Sequence, residues 1–169
     1  MLEKIDLNKK MSKQEYSESL PKIEAELGRL QRECKDLDIP VMIVFEGFGA
    51  SGKGLQIGKL IHSMDPRGFE VHTIKNETEE ERMHPFLWRF WIKTPDFASI
   101  NAFEQQLSEG GTLIIKLFLD IDQDEQEKRF KKLEKKKETQ WRVTQGDKER
   151  NVKYDEYALM AEEMLFCTD

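Results

Sequence analysis

The stretch VFEGFGASGKGLQIGKLI, Val44 to Ile61, decides how the whole chain is read. It grows out of an apolar, largely β-branched run that reads as a buried strand, Val41 to Phe45, and it ends in a segment with helical spacing from about Lys53 to Met64. Between them Gly47-Phe48-Gly49-Ala50-Ser51-Gly52-Lys53 fits the spacing GxxxxGK, in the strand-then-helix context that this pattern requires. Glycines let consecutive backbone N–H groups turn into an anion-sized nest, the helix start adds the positive end of its dipole, and Lys53 adds a point charge. Gly47, Gly49, Ala50, Ser51, Gly52, Lys53 and Gly54 are therefore the expected phosphate-holding residues. A turn that merely packs tightly is the alternative, and the matching context argues against it.

One position departs from the usual loop. Residue 54 is Gly where Ser or Thr ordinarily ligates magnesium. Magnesium then has to be held by other groups or through water; Ser51 is the one hydroxyl inside the loop, and the metal ligands stay unassigned.

Composition bounds the rest. A chain of 169 residues and 19.9 kDa reads as one domain, near the lower end for an open α/β sheet with helices on both faces. Charged residues make up 36% and the net charge is −6, so neither a nucleic acid nor a membrane surface is the expected partner, and any anion site must be local. Cys34 and Cys167 lie far apart and form neither a metal-ligand spacing nor a CxxC pair. The N-terminus lacks a signal-peptide core, and no segment approaches the roughly 20 apolar residues that span a bilayer. A cytoplasmic protein is expected. His62, His72 and His84 lack ligand spacing and read as structural or surface residues.

Along the chain, residues 1–38 read as a polar arm followed by a helix from Leu20, with Ser19 and Pro21 at its start. Leu20, Ile23, Leu27, Leu30, Cys34 and Leu37 form its apolar stripe, for packing on its own domain or for a dimer contact. Residues 39–169 read as the main domain. Asp65 to Gly68 is a turn, Glu70 to Ile74 a second strand, and Thr78 with Glu81 a capping box that opens a helix carrying Phe86, Trp88 and Trp91. Asp96 caps a further helix ended by Gly110-Gly111. Thr112 to Ile121 is the third strand, apolar enough to be buried on both faces. From Glu125 to Lys137 come seven Lys or Arg and three Glu, either a solvated helix face or a lid near 122–145 that meets a polyanion. Strands alternating with helices imply a parallel sheet with its ligands at the strands' carboxyl ends.

EGFGASGKG at Glu46 to Gly54, with DPRGFEVHTIKNETEEERMHPFLWRFW at Asp65 to Trp91, strongly resembles the family-2 polyphosphate kinases. The likeness resumes in FEQQLSEGGTLIIKLFLDI, in QWRVT at Gln140 to Thr144 and in YDEYALMAEEML, covering roughly Ile39 to the C-terminus. The resemblance implies a P-loop kinase fold, a parallel sheet flanked by helices on both faces with a helical lid, magnesium as cofactor, and a homo-oligomer. It implies phosphoryl transfer between inorganic polyphosphate and a nucleotide (AMP or ADP, GMP or GDP). Lys53 and Arg89 are then the catalytic residues, and Lys116, Arg129 and Arg142 flank the site or its lid. An ATP-dependent nucleoside or nucleotide kinase is the second reading, with Asp120 or Asp122 as its magnesium acid. A non-catalytic binding variant is the third.

Two departures bear on that choice. Many family members carry Asp at the third loop position, which here is Gly49. After WRFW the family runs into a strand of the type GRIAIFDRSWY, whereas this sequence passes from Pro95 straight to Asp96. The expectation is that the numbering joins two stretches across unobserved residues, a genuine deletion being the alternative. A Pro95–Asp96 Cα separation near 3.8 Å favours deletion.

Overall fold

Ser12 and Glu15 start the first helix by capping each other: the Ser12 hydroxyl accepts from the Glu15 N–H (3.1 Å), and the Glu15 carboxylate accepts from the Ser12 N–H (2.9 Å). The structure is a computed structural model, which describes residues 6–7, 9–72 and 97–167. Helix α1 (Lys13–Asp36) thus begins well before the expected Leu20, and Pro21 lies inside it rather than at its start. Leu20, Leu27 and Cys34 are half-buried, while Ile23, Leu30 and Leu37 are exposed. Gln31 ties the helix to the turn at Asp65, donating to its carbonyl (3.0 Å) and accepting from its N–H (2.7 Å).

Two parallel strands carry the site. Strand β1 (Val41–Gly47) pairs with β2 (Leu113–Leu119) in a register running from Val41 opposite Leu113 to Gly47 opposite Leu119. Both strands therefore end at the same level, where the glycine-rich turn and Asp120 leave the sheet together. Gly47 is required there: its φ is +128°, and a β-carbon on it would stand 2.1 Å from the Leu119 carbonyl oxygen. Helix α2 (Lys53–His62) packs on β1 and α3 (Phe97–Glu109) on β2.

The remaining helices stand over the strand ends. Helix α4 (Gln123–Glu134) is capped by Asp122, whose carboxylate accepts from the Glu125 N–H (2.7 Å). Helix α5 (Gln145–Val152) is capped reciprocally by Thr144 and Asp147, and α6 (Tyr154–Cys167) follows directly. Tyr154 anchors α6: its hydroxyl donates to the Ile121 carbonyl (2.8 Å) and its ring stacks on Phe48 at 4.8 Å. Ile121 and Phe130 are the buried apolar side chains among the described residues, and the Phe130 ring lies against Gly49 of the turn.

Several expectations change. Thr112 to Ile121 is not buried on both faces: Leu113, Ile115 and Leu117 are 49%, 37% and 42% exposed, alternating with half-buried Ile114 and Phe118. The described residues contain two strands instead of three; Glu70 to His72 belong to no strand, and Thr73 and Ile74 lie outside the described residues. The helix expected after Thr78, with Arg89, Trp88 and Trp91, also lies outside them, as does the join at Pro95 and Asp96. No helix among the described residues is long and apolar enough to cross a membrane.

Candidate active site

The turn after β1 has its carbonyls committed. Lys53 donates its ammonium to the Gly47 and Phe48 carbonyls (2.7 and 2.8 Å), Gln126 donates its amide to the Gly49 carbonyl (2.9 Å), and one Arg129 nitrogen donates to those of Ala50 and Ser51 (both 3.1 Å). Among the described residues, the N–H groups of Gly49, Ala50, Gly52, Lys53 and Gly54 meet no acceptor. Ala50 at φ +58° and Gly52 at φ +108° set the left-handed steps of the nest. A side-chain-bearing residue in that region costs on the order of 1 kcal/mol, and such strain is characteristic of functional loops. The result is a concave row of donors beside a fixed ammonium.

Four side chains from the far end of the chain wall this loop. Gln126, 3% exposed, is held in turn by the Asn151 amide (2.8 Å). Arg129 is paired with Glu125 at 2.8 Å on the same helix. The Asp147 carboxylate lies beside Gly49 and accepts from Arg150 at 2.7 Å. Burial pushes the Lys53 ammonium below the ordinary lysine pKa; the Asp147 charge opposes that and the Arg150 charge adds to it. Burial also opposes ionisation of Asp147, but hydrogen bonds from Thr144 and Arg150 outweigh it and hold the carboxyl below its usual value.

Among the described residues two buried oxygens have no hydrogen-bond partner: the Ser51 hydroxyl and one carboxylate oxygen of Asp120. Burial raises the Asp120 carboxyl above its ordinary pKa. Buried polar atoms are almost always satisfied, so orphans at the ends of two adjacent strands call for a ligand. Oxygen donors of this kind suit magnesium, which keeps several waters and shares its ligands with substrate phosphates. Among the described residues no group of three or more His, Cys, Asp or Glu converges on one point.

The expected site residues separate. The loop residues and Arg129 come together. Lys116 does not join them: it lies within β2 opposite Val44, its ammonium 2.6 Å from Glu104 of α3. Arg142 lies over the exposed Trp141 ring, 5.3 Å from its centre. In the basic segment Lys131 pairs with Glu127 (2.8 Å), and Lys148 of α5 pairs with Glu134 (2.7 Å). Gln126, Asp147 and Arg150 were not singled out from sequence. Thr144-x-x-Asp147 is a capping signature, which says nothing about where its helix docks.

The family model for polyphosphate kinase 2 (PPK2) matches residues 10–100 and 96–169. The chain belongs to the polyphosphate kinase 2 family. Curated relatives include the polyphosphate:AMP phosphotransferases of Pseudomonas aeruginosa, 32% identical over 93% of this chain, and Acinetobacter johnsonii, 33% identical over 86%. The chain spans 38% of the length of each. The fold superimposes on the crystal structure of a P. aeruginosa protein described as a polyphosphate kinase 2, with TM-score 0.83 and 31% identity over 99% of this chain and 43% of that one. It also superimposes on polyphosphate kinase 2 from Arthrobacter aurescens (TM-score 0.82, 24% identity, all of this chain and 74% of that one). The P-loop kinase-like α/β fold expected from the sequence is thereby established.

The P. aeruginosa alignment runs over 189 positions but uses 93% of 169 residues, about 157, so some 32 positions have no counterpart here. The two stretches matched by the family model meet at residues 96–100. The Pro95–Asp96 separation that distinguishes unobserved residues from a deletion lies outside the described residues.

Proposed function

We propose that this chain moves a phosphoryl group between inorganic polyphosphate and a nucleoside mono- or diphosphate. The observation that carries the proposal is the loop: five N–H groups without acceptors and the Lys53 ammonium line one concavity, while every carbonyl from Gly47 to Ser51 is turned to a side-chain donor. Such a nest binds phosphoanhydride oxygens. In the reaction a terminal phosphate oxygen of the nucleotide attacks the terminal phosphorus of polyphosphate; one P–O anhydride bond forms, one breaks, and polyphosphate leaves one unit shorter.

Lys53 and the loop N–H groups hold the transferring phosphoryl, and Arg129 neutralises charge that builds up on it. Both cations now rest on loop carbonyls, from which an arriving phosphate draws them. Arg89, assigned by resemblance, serves the same phosphates. Magnesium, when bound, neutralises charge between neighbouring phosphates, and Asp120 and Ser51 are the residues whose orphan oxygens fit it. Support for a cytoplasmic location comes from the free Cys34 and Cys167, and support for a homo-oligomer from the exposed Ile23 and Leu30 on α1 and Leu37 at its C-terminal cap.

The roughly 32 missing positions favour a second reading, a domain that binds polyphosphate or nucleotide without turnover. One assay separates the readings: polyphosphate and ATP are offered in turn as sole phosphoryl source, with magnesium and a nucleotide acceptor. Turnover with polyphosphate supports the proposal, turnover with ATP alone indicates an ordinary nucleotide kinase, and binding without turnover indicates the second reading.

A further inference from the structure

We propose that Arg150 is a phosphate-binding residue of this loop, stationed above Gly49 by Asp147. The proposal rests on the phosphate-site reading of the loop and extends it to a residue 97 positions past Lys53 in a separate helix.

The station is built from three directions. The Arg150 guanidinium folds back along α5, 3.5 Å from the point where a β-carbon on Gly146 would stand. Its nitrogen donates to one Asp147 carboxylate oxygen (2.7 Å), and that oxygen lies 3.5 Å from the β-carbon point of Gly49. The other Asp147 oxygen accepts from the Thr144 N–H (2.8 Å) and hydroxyl (2.7 Å), so the carboxylate cannot rotate freely. Helix α5 is itself fixed to the loop wall, because Asn151 donates to Gln126, which donates to the Gly49 carbonyl. Gly49, Asp147 and Arg150 thus form a connected unit on the side of the loop where Lys53 feels both charges.

The chemistry points to an anion with several oxygens. Lys53, Arg129 and Arg150 surround the loop, and each arginine keeps a carboxylate partner, Glu125 for Arg129 and Asp147 for Arg150. An arginine has five N–H donors in a planar fork, so Arg150 has donors to spare beyond its bond to Asp147. Its side chain is 35% exposed and open to an incoming ligand, whereas that of Asp147 is 17% exposed. The buried, partnerless Ser51 hydroxyl inside the loop is a second sign of an absent ligand. Two guanidinium forks around one ammonium match consecutive phosphates of a chain, as in polyphosphate or a nucleotide diphosphate, better than a single carboxylate.

The test is calorimetric titration of tripolyphosphate into the full chain and into Arg150→Gln, Arg150→Lys and Lys53→Ala, with thermal unfolding of each. The Thr144–Asp147 cap survives both Arg150 substitutions, so melting temperatures within a few degrees of the parent are expected. Arg150→Gln should weaken binding about tenfold or more, Arg150→Lys should fall between the two, and the salt dependence should flatten in Arg150→Gln. Arg150→Gln binding within twofold of the parent, while Lys53→Ala loses binding, overturns the assignment and leaves the loop reading intact. A parent chain that takes up no tripolyphosphate overturns both.

Discussion

The Asp147 carboxylate lies 3.5 Å from the point where a β-carbon on Gly49 would sit, with Phe130 and Gln126 at 3.4 and 3.5 Å. A methyl group makes only ordinary contacts there, so Gly49→Ala should leave stability within about 0.5 kcal/mol or raise it slightly through the unfolded chain. Gly49→Asp instead sets a second carboxylate against Asp147 and should cost about 1–2 kcal/mol at neutral pH, easing as pH falls and the pair takes up a proton. Thermal unfolding of both variants at pH 7 and pH 4 checks this. Equal stability of the two at pH 7 would contradict it.

Gly47 is a stricter position. Its φ of +128° and the 2.1 Å approach to the Leu119 carbonyl leave no room for a side chain at the junction of the two strands. Gly47→Ala should therefore destabilise the fold by roughly 3 kcal/mol or more, against a few tenths at Gly49. Chemical denaturation of both alanine variants side by side measures the difference.

The lowered pKa of Lys53 has a definite sign in binding. Only the ammonium attracts phosphate, so affinity for tripolyphosphate should fall as pH rises through that pKa, within the alkaline range below about 10.4. Lys53→Arg stays protonated throughout and should bind with a flat alkaline limb, even if more weakly overall. Parallel alkaline limbs in the two proteins would remove Lys53 as the titrating group.

Asp120 is predicted to respond to metal without any substrate present. If its orphan oxygen meets magnesium, the cation should raise the melting temperature of the parent chain, by about 1.4 kcal/mol of stability at ten times its dissociation constant. Asp120→Asn, which relieves the cost of a buried charge, should be at least as stable as the parent in chelator and should lose the magnesium response. An undiminished response in Asp120→Asn assigns the metal elsewhere.

What the sequence made legible was local. Gly47 to Gly54 announced the loop because the nest, the helix start and the lysine are contiguous, whereas Arg129 entered only through the family resemblance. Asp147 and Arg150 escaped because their capping pattern is complete within one helix, and the contact with Gly49 is made only in three dimensions. Helix α1 starts earlier than Ser19 and Pro21 suggest because Ser12-x-x-Glu15 forms a capping box and Pro21 is accommodated inside the helix. Lys116 entered through the family resemblance, and in the fold its ammonium pairs with Glu104 between sheet and helix. Full burial of the third strand rested on apolar content alone; Leu113, Ile115 and Leu117, alternating along β2, share one face that stays partly open.

The most direct test of the account is formation of a nucleoside diphosphate from AMP by the purified chain with magnesium, long-chain polyphosphate being the sole phosphoryl donor, with Lys53→Ala run in parallel. The account predicts nucleoside diphosphate from the parent and at least a hundredfold slower formation by Lys53→Ala, whose folded state should be unchanged. Turnover by Lys53→Ala within tenfold of the parent, or none by a parent chain that binds neither polyphosphate nor AMP, would contradict it.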